Sequence, residues 1–332
     1  MKLADISIHI VNWNSGEMLR QCLNTVFEQD YRAIKEVLVV DNASTDNSLK
    51  TIEREFPKVK IVRNYTNLGF SKAHNQAIRL STGELVLVLN FDILLNQEFV
   101  SRMVLAMCGD PKIGMASGKL LRLLKGQKTD LLDSTGIIMA RYFSSPRGSG
   151  EKDNGQYDGL EDRAIFGPCG AAAVYRREML EDIKYQQEYF DEDFVNYVED
   201  VDLAWRAQLR GWRGIYVPDA IAYHERGVTR KNNAAEQKNY FVWGYRNRYL
   251  AIYKNVTRHE LRKFFFKIGL VEMLFILSRQ DGGVPPGVKF KALREARLLS
   301  PLFKKNETMS RTGSRPLLKL FLSFLSTSIF QY

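Results

Sequence analysis

The stretch Glu84-Leu-Val-Leu-Val-Leu-Asn-Phe-Asp92 decides the fold. Leu85–Leu89 is continuously aliphatic, without the apolar/polar alternation of a half-exposed strand, as expected for a strand buried on both faces of a parallel sheet. Toward the N-terminus the pattern predicts strands at Ile6–Asn12, Glu36–Val40 and Lys60–Arg63. Helices are predicted between them at Glu17–Gln29, Ser48–Phe56 and Ser71–Leu80. Strand and helix thus alternate through the first hundred residues, the order of an α/β nucleotide-binding half. In such sheets ligands gather beyond the carboxyl ends of the strands, and Asn12, Asp41 and Asp92 each fall at such an end.

Toward the C-terminus, Leu124–Asp162 is rich in Gly, Ser, Lys and Asp around Ser144-Ser-Pro-Arg-Gly-Ser-Gly150, a composition that predicts a mobile loop. Order is expected again at Ile165–Arg177, with a helix over Phe194–Arg210 and short strands at Gly214–Val217 and Ala220–Tyr223. From about Phe264 aromatic and aliphatic residues alternate with Lys and Arg, which predicts amphipathic helices with basic polar faces. The division read from this is a catalytic body over residues 1–250 and a basic helical extension over 251–332.

Charge supports that division. The 332 residues carry a net charge of +10, and residues 251–332 hold 15 Lys/Arg against 5 Asp/Glu, leaving 33 of each in the body. A neutral body with a basic, aromatic tail suits an anionic membrane surface or a diphosphate-bearing acceptor better than nucleic acid. Cys22, Cys108 and Cys169 are an odd, scattered set without CxxC spacing, which points to a reducing compartment and no structural zinc. The alternating strand at Ile6–Val11 begins almost at once and lacks a signal-peptide core. The apolar runs Ile268–Leu277 and Leu317–Phe330 carry Glu272 and Lys319 and are short for a bilayer span. The expectation is a cytoplasmic protein, peripheral at the inner face of the membrane.

Several residues carry chemistry. Asp41 stands where a carboxylate can accept a hydrogen bond from a pyrimidine N3–H, or cap an Asx turn, while Asp46 reads as a helix cap. Asp92 is placed to share a divalent cation with a diphosphate, or to form a turn. Glu199, Asp200 and Asp202 crowd a helix start; they complement the helix dipole, and two of them side by side can also give one the raised pKa that a general base needs. His224 follows a strand as an isolated histidine, and Trp205 and Trp212 read as packing residues.

Taken in order, Ser7-Ile-His-Ile-Val-Asn-Trp-Asn-Ser15, Asp41-Asn-Ala-Ser-Thr-Asp46, Asn67-Leu-Gly-Phe-Ser-Lys-Ala-His-Asn75, Leu89-Asn-Phe-Asp92, Gly170-Ala-Ala-Ala-Val-Tyr-Arg-Arg177, Glu199-Asp-Val-Asp-Leu203 and His224-Glu-Arg-Gly-Val-Thr229 resemble glycosyltransferase family 2. The resemblance implies the GT-A fold, a mostly parallel Rossmann-like sheet flanked by helices. It also implies inverting transfer of a sugar from a UDP- or dTDP-sugar with Mg²⁺ or Mn²⁺ as cofactor. Asp41 resembles the base-binding residue, with Asn12 beside it. Asn67 and Gly69 resemble a loop near the donor, and Gly69 would allow close backbone approach. Asp92 resembles the last carboxylate of the metal-binding element, Asn90 stands at that element's first position, and His224 is similar to the second metal ligand. Asp200 resembles the catalytic base, with Glu199 beside it and Gly170 on the acceptor side; Asp202 reads as structural, and Arg226 and Arg230 as solvated surface. Val11-Asn-Trp-Asn14 and Asn90-Phe-Asp92 look most like rhamnosyltransferase-type members, which makes dTDP-rhamnose the expected donor, while the basic tail makes a lipid-linked surface glycan the expected acceptor.

Two other readings compete. A sugar nucleotidyltransferase also joins an α/β nucleotide fold to carboxylates and metal, but it needs a Gly-rich, basic triphosphate loop where this chain has only Trp13-Asn-Ser-Gly16. A non-enzymatic membrane-associated scaffold on a decayed transferase fold is disfavoured by the retention of Asp41, Asp92, Asp200 and His224.

Overall fold

The computed structural model describes residues 3–140, 143–227, 234–256 and 286–299. β1 (Ile6–Asn12), α1 (Met18–Phe27), β2 (Ile34–Asp41), α2 (Ser48–Glu55), β3 (Lys60–Arg63), α3 (Gly69–Leu80) and β4 (Leu85–Asn90) alternate as the sequence predicts. β5 (Ile93–Leu95), α4 (Phe99–Cys108) and β6 (Ile113–Leu124) fill a stretch for which the sequence pattern predicted no element. Then come β7 (Gln127–Ser134), β8 (Ile137–Ala140), β9 (Phe143–Pro146), β10 (Ala164–Ile165), β11 (Ala172–Arg176), α5 (Arg177–Ile183), α6 (Glu199–Leu209) and β12 (Arg213–His224). Two helices follow, α7 (Ala234–Asn255) and α8 (Pro286–Leu299).

The strands share one sheet in the order β10-β12-β6-β11-β4-β1-β2-β3, with β5 also paired to β12 and β7 to β6, while β8 and β9 form a separate ribbon. β3, β2, β1 and β4 run parallel, and β11 enters antiparallel between β4 and β6. The strand pleat sorts β4 into two cores. Leu85, Leu87 and Leu89 pack with Ile6, Ile8, Ile10, α1 and α4 on one face, whereas Val86 and Val88 pack with Ile78, α5 and α6 on the other. That double burial explains the unbroken aliphatic run.

Three expectations are corrected. Leu124–Asp162 is not a mobile loop: it holds β7, β8 and β9, and the buried Lys119 on β6 pairs with Asp153 and Asp158 at 3.0 and 2.9 Å. Arg147 adds to this by lying over the Tyr157 and Tyr216 rings at 4.9 and 5.2 Å. The helix expected from Phe194 begins only at Glu199, because Val195, Tyr197 and Val198 take φ of 63°, 70° and 69°, outside the helical region. The two short strands expected after Gly214 are one strand, β12, whose pairing with β6 is irregular between Val217 and Ile221.

Met1–Met139, Ser144–Val195 and Glu199–Val228 make one compact unit; Thr229–Tyr332, with Ala140–Phe143 and Asn196–Val198, makes a second. Within the second unit α7 packs on α8 through Val242, Tyr245, Val288 and Ala292, and α7 runs unbroken through residue 250. Asn247 donates to the carbonyls of Asn196 and Tyr197, both at 2.8 Å. The runs from Phe264 to 285 and from 300 to the end, including Leu317–Phe330, and Arg230 lie outside the described residues. No helix among the described residues is long and apolar enough to cross a membrane.

Candidate functional site

Parallel pairing puts Asn12 opposite Asp41 at the carboxyl ends of β1 and β2. Asn12 Nδ2 donates to Asp41 Oδ1 at 2.7 Å, and Ser44 N–H donates to Asp41 Oδ2 at 3.2 Å. Both side chains are buried, so this carboxylate is fixed before any ligand arrives. Asp46 accepts from Ser48 N–H at 3.1 Å in an Asx-type turn just ahead of α2, whose N-cap position is Asn47 rather than Asp46.

Asn67 Oδ1 accepts from Gly69 N–H at 2.9 Å, turning the chain into α3. Gly69 has φ +79°, and a Cβ there would fall 2.7 Å from Val195 Cγ1 and 2.8 Å from Val195 O. The close approach that needs this glycine is therefore to Val195, not to a donor. Phe70 N–H donates to Val195 O at 2.9 Å, so the start of α3 grips the turn that leads to Glu199 and Asp200.

Asn90 closes β4, half-buried, with its N–H on Ala171 O at 2.8 Å. Two residues on, β5 pairs antiparallel with the end of β12, Ile93 facing His224, and Glu225 N–H donates to Asp92 O at 3.0 Å. This pairing brings Asp92 and His224 together from distant parts of the chain: His224 Nε2 lies 3.5 Å from Asp92 Oδ1. Asp92 Oδ1 is buried and has no hydrogen-bond partner among the described residues.

The other face of His224 meets a residue that the sequence reading missed. Asp133, on β7 and fully buried, accepts from His224 Nδ1 at 2.8 Å, and Arg226 Nε closes on its second oxygen. Burial alone would lower the His224 pKa, but pairing with Asp133 and Asp92 overrides it and pushes the imidazole up to about 9. Burial likewise works to raise the Asp133 pKa, and the His224 hydrogen bond and the Arg226 charge bring it below the ordinary aspartate range. Arg226 is thus not a freely solvated side chain. Leu131, Leu132, Ile137 and Ile138 around Asp133 were the sequence signal for paired strands here, obscured by the glycine- and serine-rich residues that follow.

Glu199 and Asp200 open α6. Asp200 Oδ2 accepts from Gly170 N–H at 2.9 Å and Oδ1 from Val201 N–H at 2.8 Å. Burial raises its pKa, opposed by these amides and by Arg226. Burial, and then the neighbouring Asp200, pushes Glu199 well above the carboxylate range, and its Oε2 has no partner among the described residues. Both carboxyls are pushed upward by burial, and the two amides on Asp200 favour its anion over that of Glu199. Asp202 does something else: it is buried in an ion pair with Arg206 at 2.8 Å, within α6. Trp205 stacks edge-on with Phe166, and Trp212 donates to Asp182, as packing residues do.

The donor set tests for a metal. Two ligands about 2.1 Å from a small divalent cation sit about 3 Å apart. Asp92 Oδ1 and His224 Nε2 nearly meet that spacing, and an orphaned buried carboxylate oxygen is what a cation would satisfy. Among the described residues no group of three or more acidic, His or Cys side chains is placed to hold a metal ion by itself. A cation here would take its remaining ligands from a diphosphate or water.

Residues 7–184 match the model of glycosyl transferase family 2. The chain is 31% identical over 224 residues to an N-acetylglucosaminyltransferase of Bradyrhizobium diazoefficiens, a match covering 66% of this chain and 44% of that protein. It spans about half the length of the curated relatives it matches. Among solved structures it is similar to GalNAc-T7 with UDP, GalNAc and Mn²⁺, with a TM-score of 0.67 at 13% identity, covering 98% of this chain and 57% of that one. It is also similar to S. aureus TarS 1–349 with UDP-GlcNAc, with a TM-score of 0.56 at 20% identity, covering 92% of this chain and 88% of that one. At these identities the structural likeness establishes the fold, which is GT-A. With the family model covering more than half of its length, the chain belongs to glycosyl transferase family 2.

Proposed function

We propose that this protein is a metal-dependent inverting glycosyltransferase that moves a sugar from a nucleoside diphosphate donor to a glycan acceptor. The single observation that carries the proposal is the pairing of a buried carboxylate oxygen that lacks a hydrogen bond with an imidazole at Asp92 and His224, in the same unit as the buried carboxyl pair Glu199/Asp200.

Asp41, fixed by Asn12 and Ser44, would accept the N3–H of a uracil or thymine base. Asn67 shapes the adjoining turn and Asn90 lines the same strand ends. Asp92 and His224 would hold Mg²⁺ or Mn²⁺, which when bound offsets charge on the departing diphosphate. Asp200, whose anion the Gly170 and Val201 amides favour against burial, would take the acceptor hydroxyl proton, and a Glu199 held toward its neutral form would spare the base a second negative charge.

The relatives named as N-acetylglucosaminyltransferases make UDP-N-acetylglucosamine the first donor to test and move dTDP-rhamnose to second. The acceptor in this reading is a lipid-linked glycan reached at an anionic membrane face. α8 supports this: Phe290, Lys291, Arg294, Arg297 and Leu298 recur at helical spacing on its exposed side, opposite buried Val288, Lys289, Ala292 and Ala296. The test is a screen of nucleotide sugars for nucleoside diphosphate release, with Mg²⁺, Mn²⁺ or chelator. Release from UDP-N-acetylglucosamine that stops with chelator supports the proposal. No release from any donor under either metal would overturn it.

A further inference from the structure

We infer that Asp133 is a positioning residue for the metal site, orienting His224 so that its Nε2 faces Asp92. The inference rests on the reading of Asp92 and His224 as metal ligands and deepens it.

An ionised carboxylate only accepts hydrogen bonds, so the 2.8 Å contact from His224 Nδ1 to Asp133 Oδ2 requires the proton on Nδ1. In the neutral ring that a metal binds, the lone pair is then on Nε2, which faces Asp92 Oδ1 at 3.5 Å. Without Asp133 the ring could rotate about its side-chain bonds or take the other tautomer, and either would turn the lone pair away from Asp92.

Asp133 is not itself a ligand in waiting. Its side chain is fully buried, one oxygen is held by His224 and the other by Arg226. Its place is set by the sheet: β11 pairs with Met115–Ser117 of β6, and β7 takes over that strand from Leu120 onward, while β12 runs along β6 as far as His224. A carboxylate in this position with both oxygens engaged gives the ring a fixed orientation and raises its basicity toward a cation, and removing such partners typically weakens metal affinity by about 10–100-fold.

The test is Mn²⁺ binding to the full-length protein, read by electron paramagnetic resonance of the free ion with and without UDP. Asp133→Ala is expected to bind Mn²⁺ about 10–100-fold more weakly than wild type. Asp133→Asn, whose amide oxygen still accepts from Nδ1–H, is expected to stay within several-fold, while Asp133→Leu, of similar shape but unable to accept, should lose as much as Asp133→Ala and serves as the reading if the alanine variant fails to fold. In a His224→Ala background, Asp133→Asn and Asp133→Ala should cause no further loss, a result that a general effect on folding would not give. An Asp133→Ala affinity equal to wild type, or a loss that persists undiminished in the His224→Ala background, would overturn the positioning role while leaving the metal site standing. A wild-type protein that binds no Mn²⁺ even with UDP would remove the metal reading itself, and this inference with it.

Discussion

Asp200 differs from Glu199 in what touches it. Two amides besides its own stabilise its anion, and the Gly170 amide comes from the loop before β11. Glu199 has burial and a charged neighbour working against ionisation and an oxygen left unpartnered. Glu199→Gln mimics the protonated form, so it should keep turnover within several-fold and leave the acid limb of the rate in place. Loss of about 10²–10⁴, the scale of general-base catalysis, would instead make Glu199 the base. The sign of the pH dependence follows from the raised Asp200 pKa. Below that value the carboxyl is neutral and cannot accept a proton, so the rate should fall as pH falls through a point above the ordinary aspartate value of about 3.9. Rates measured in overlapping buffers locate that limb. Across the site, Asp92→Ala and His224→Ala should each weaken Mn²⁺-dependent UDP binding, and the double variant should lose little more. Calorimetric titration of the three variants measures this, and fully additive losses would separate the two residues into different sites.

At the scale of elements, the turn from Val195 to Val198 leads from the start of α3, which grips Val195, to Glu199 and Asp200 at the start of α6. It carries φ of 63°, 70° and 69° at the non-glycine residues Val195, Tyr197 and Val198, a costly conformation, and the Phe70 amide holds the Val195 carbonyl. Gly69→Ala would add a Cβ 2.7 Å from Val195 Cγ1 at a φ that alanine resists. The expected cost is about 2–4 kcal/mol from strain and overpacking, read as a lower denaturant midpoint with an unchanged slope. An unchanged midpoint would mean that the turn yields freely. What the sequence revealed at this scale follows a physical line. β1 to β4 were legible because their burial is written in local periodicity, and strand ends then located Asn12, Asp41 and Asp92. Asp133 and Arg226 were not, because their meaning depends on β7 pairing with β6 and on β5 pairing with β12, contacts between segments far apart in the chain. Lys119 escaped for the same reason: its partners Asp153 and Asp158 turn a loop-like composition into an ordered segment.

For the molecule as a whole, the proposal assigns chemistry to the neutral body and membrane attachment to the basic extension. If the α8 stripe meets an anionic bilayer, the protein should float with vesicles containing anionic lipid and come off as salt rises, since each cation near such a surface adds about 1 kcal/mol and is screened within a Debye length. Replacing Lys291, Arg294 and Arg297 together by Glu should abolish flotation and leave donor turnover with a soluble acceptor intact. Flotation that is indifferent to salt and to these replacements would contradict the membrane reading. The central claim is that Asp92 with His224 and Asp200 with Glu199 form one catalytic centre with divided roles. The measurement that tests it most directly pairs Mn²⁺-dependent UDP binding with UDP-N-acetylglucosamine turnover in Asp200→Asn and Asp92→Ala. Asp200→Asn should bind UDP as wild type does and lose about 10²–10⁴ in rate, whereas Asp92→Ala should lose metal-dependent binding as well. Equal loss of binding in both variants, or turnover retained in Asp200→Asn, would contradict it.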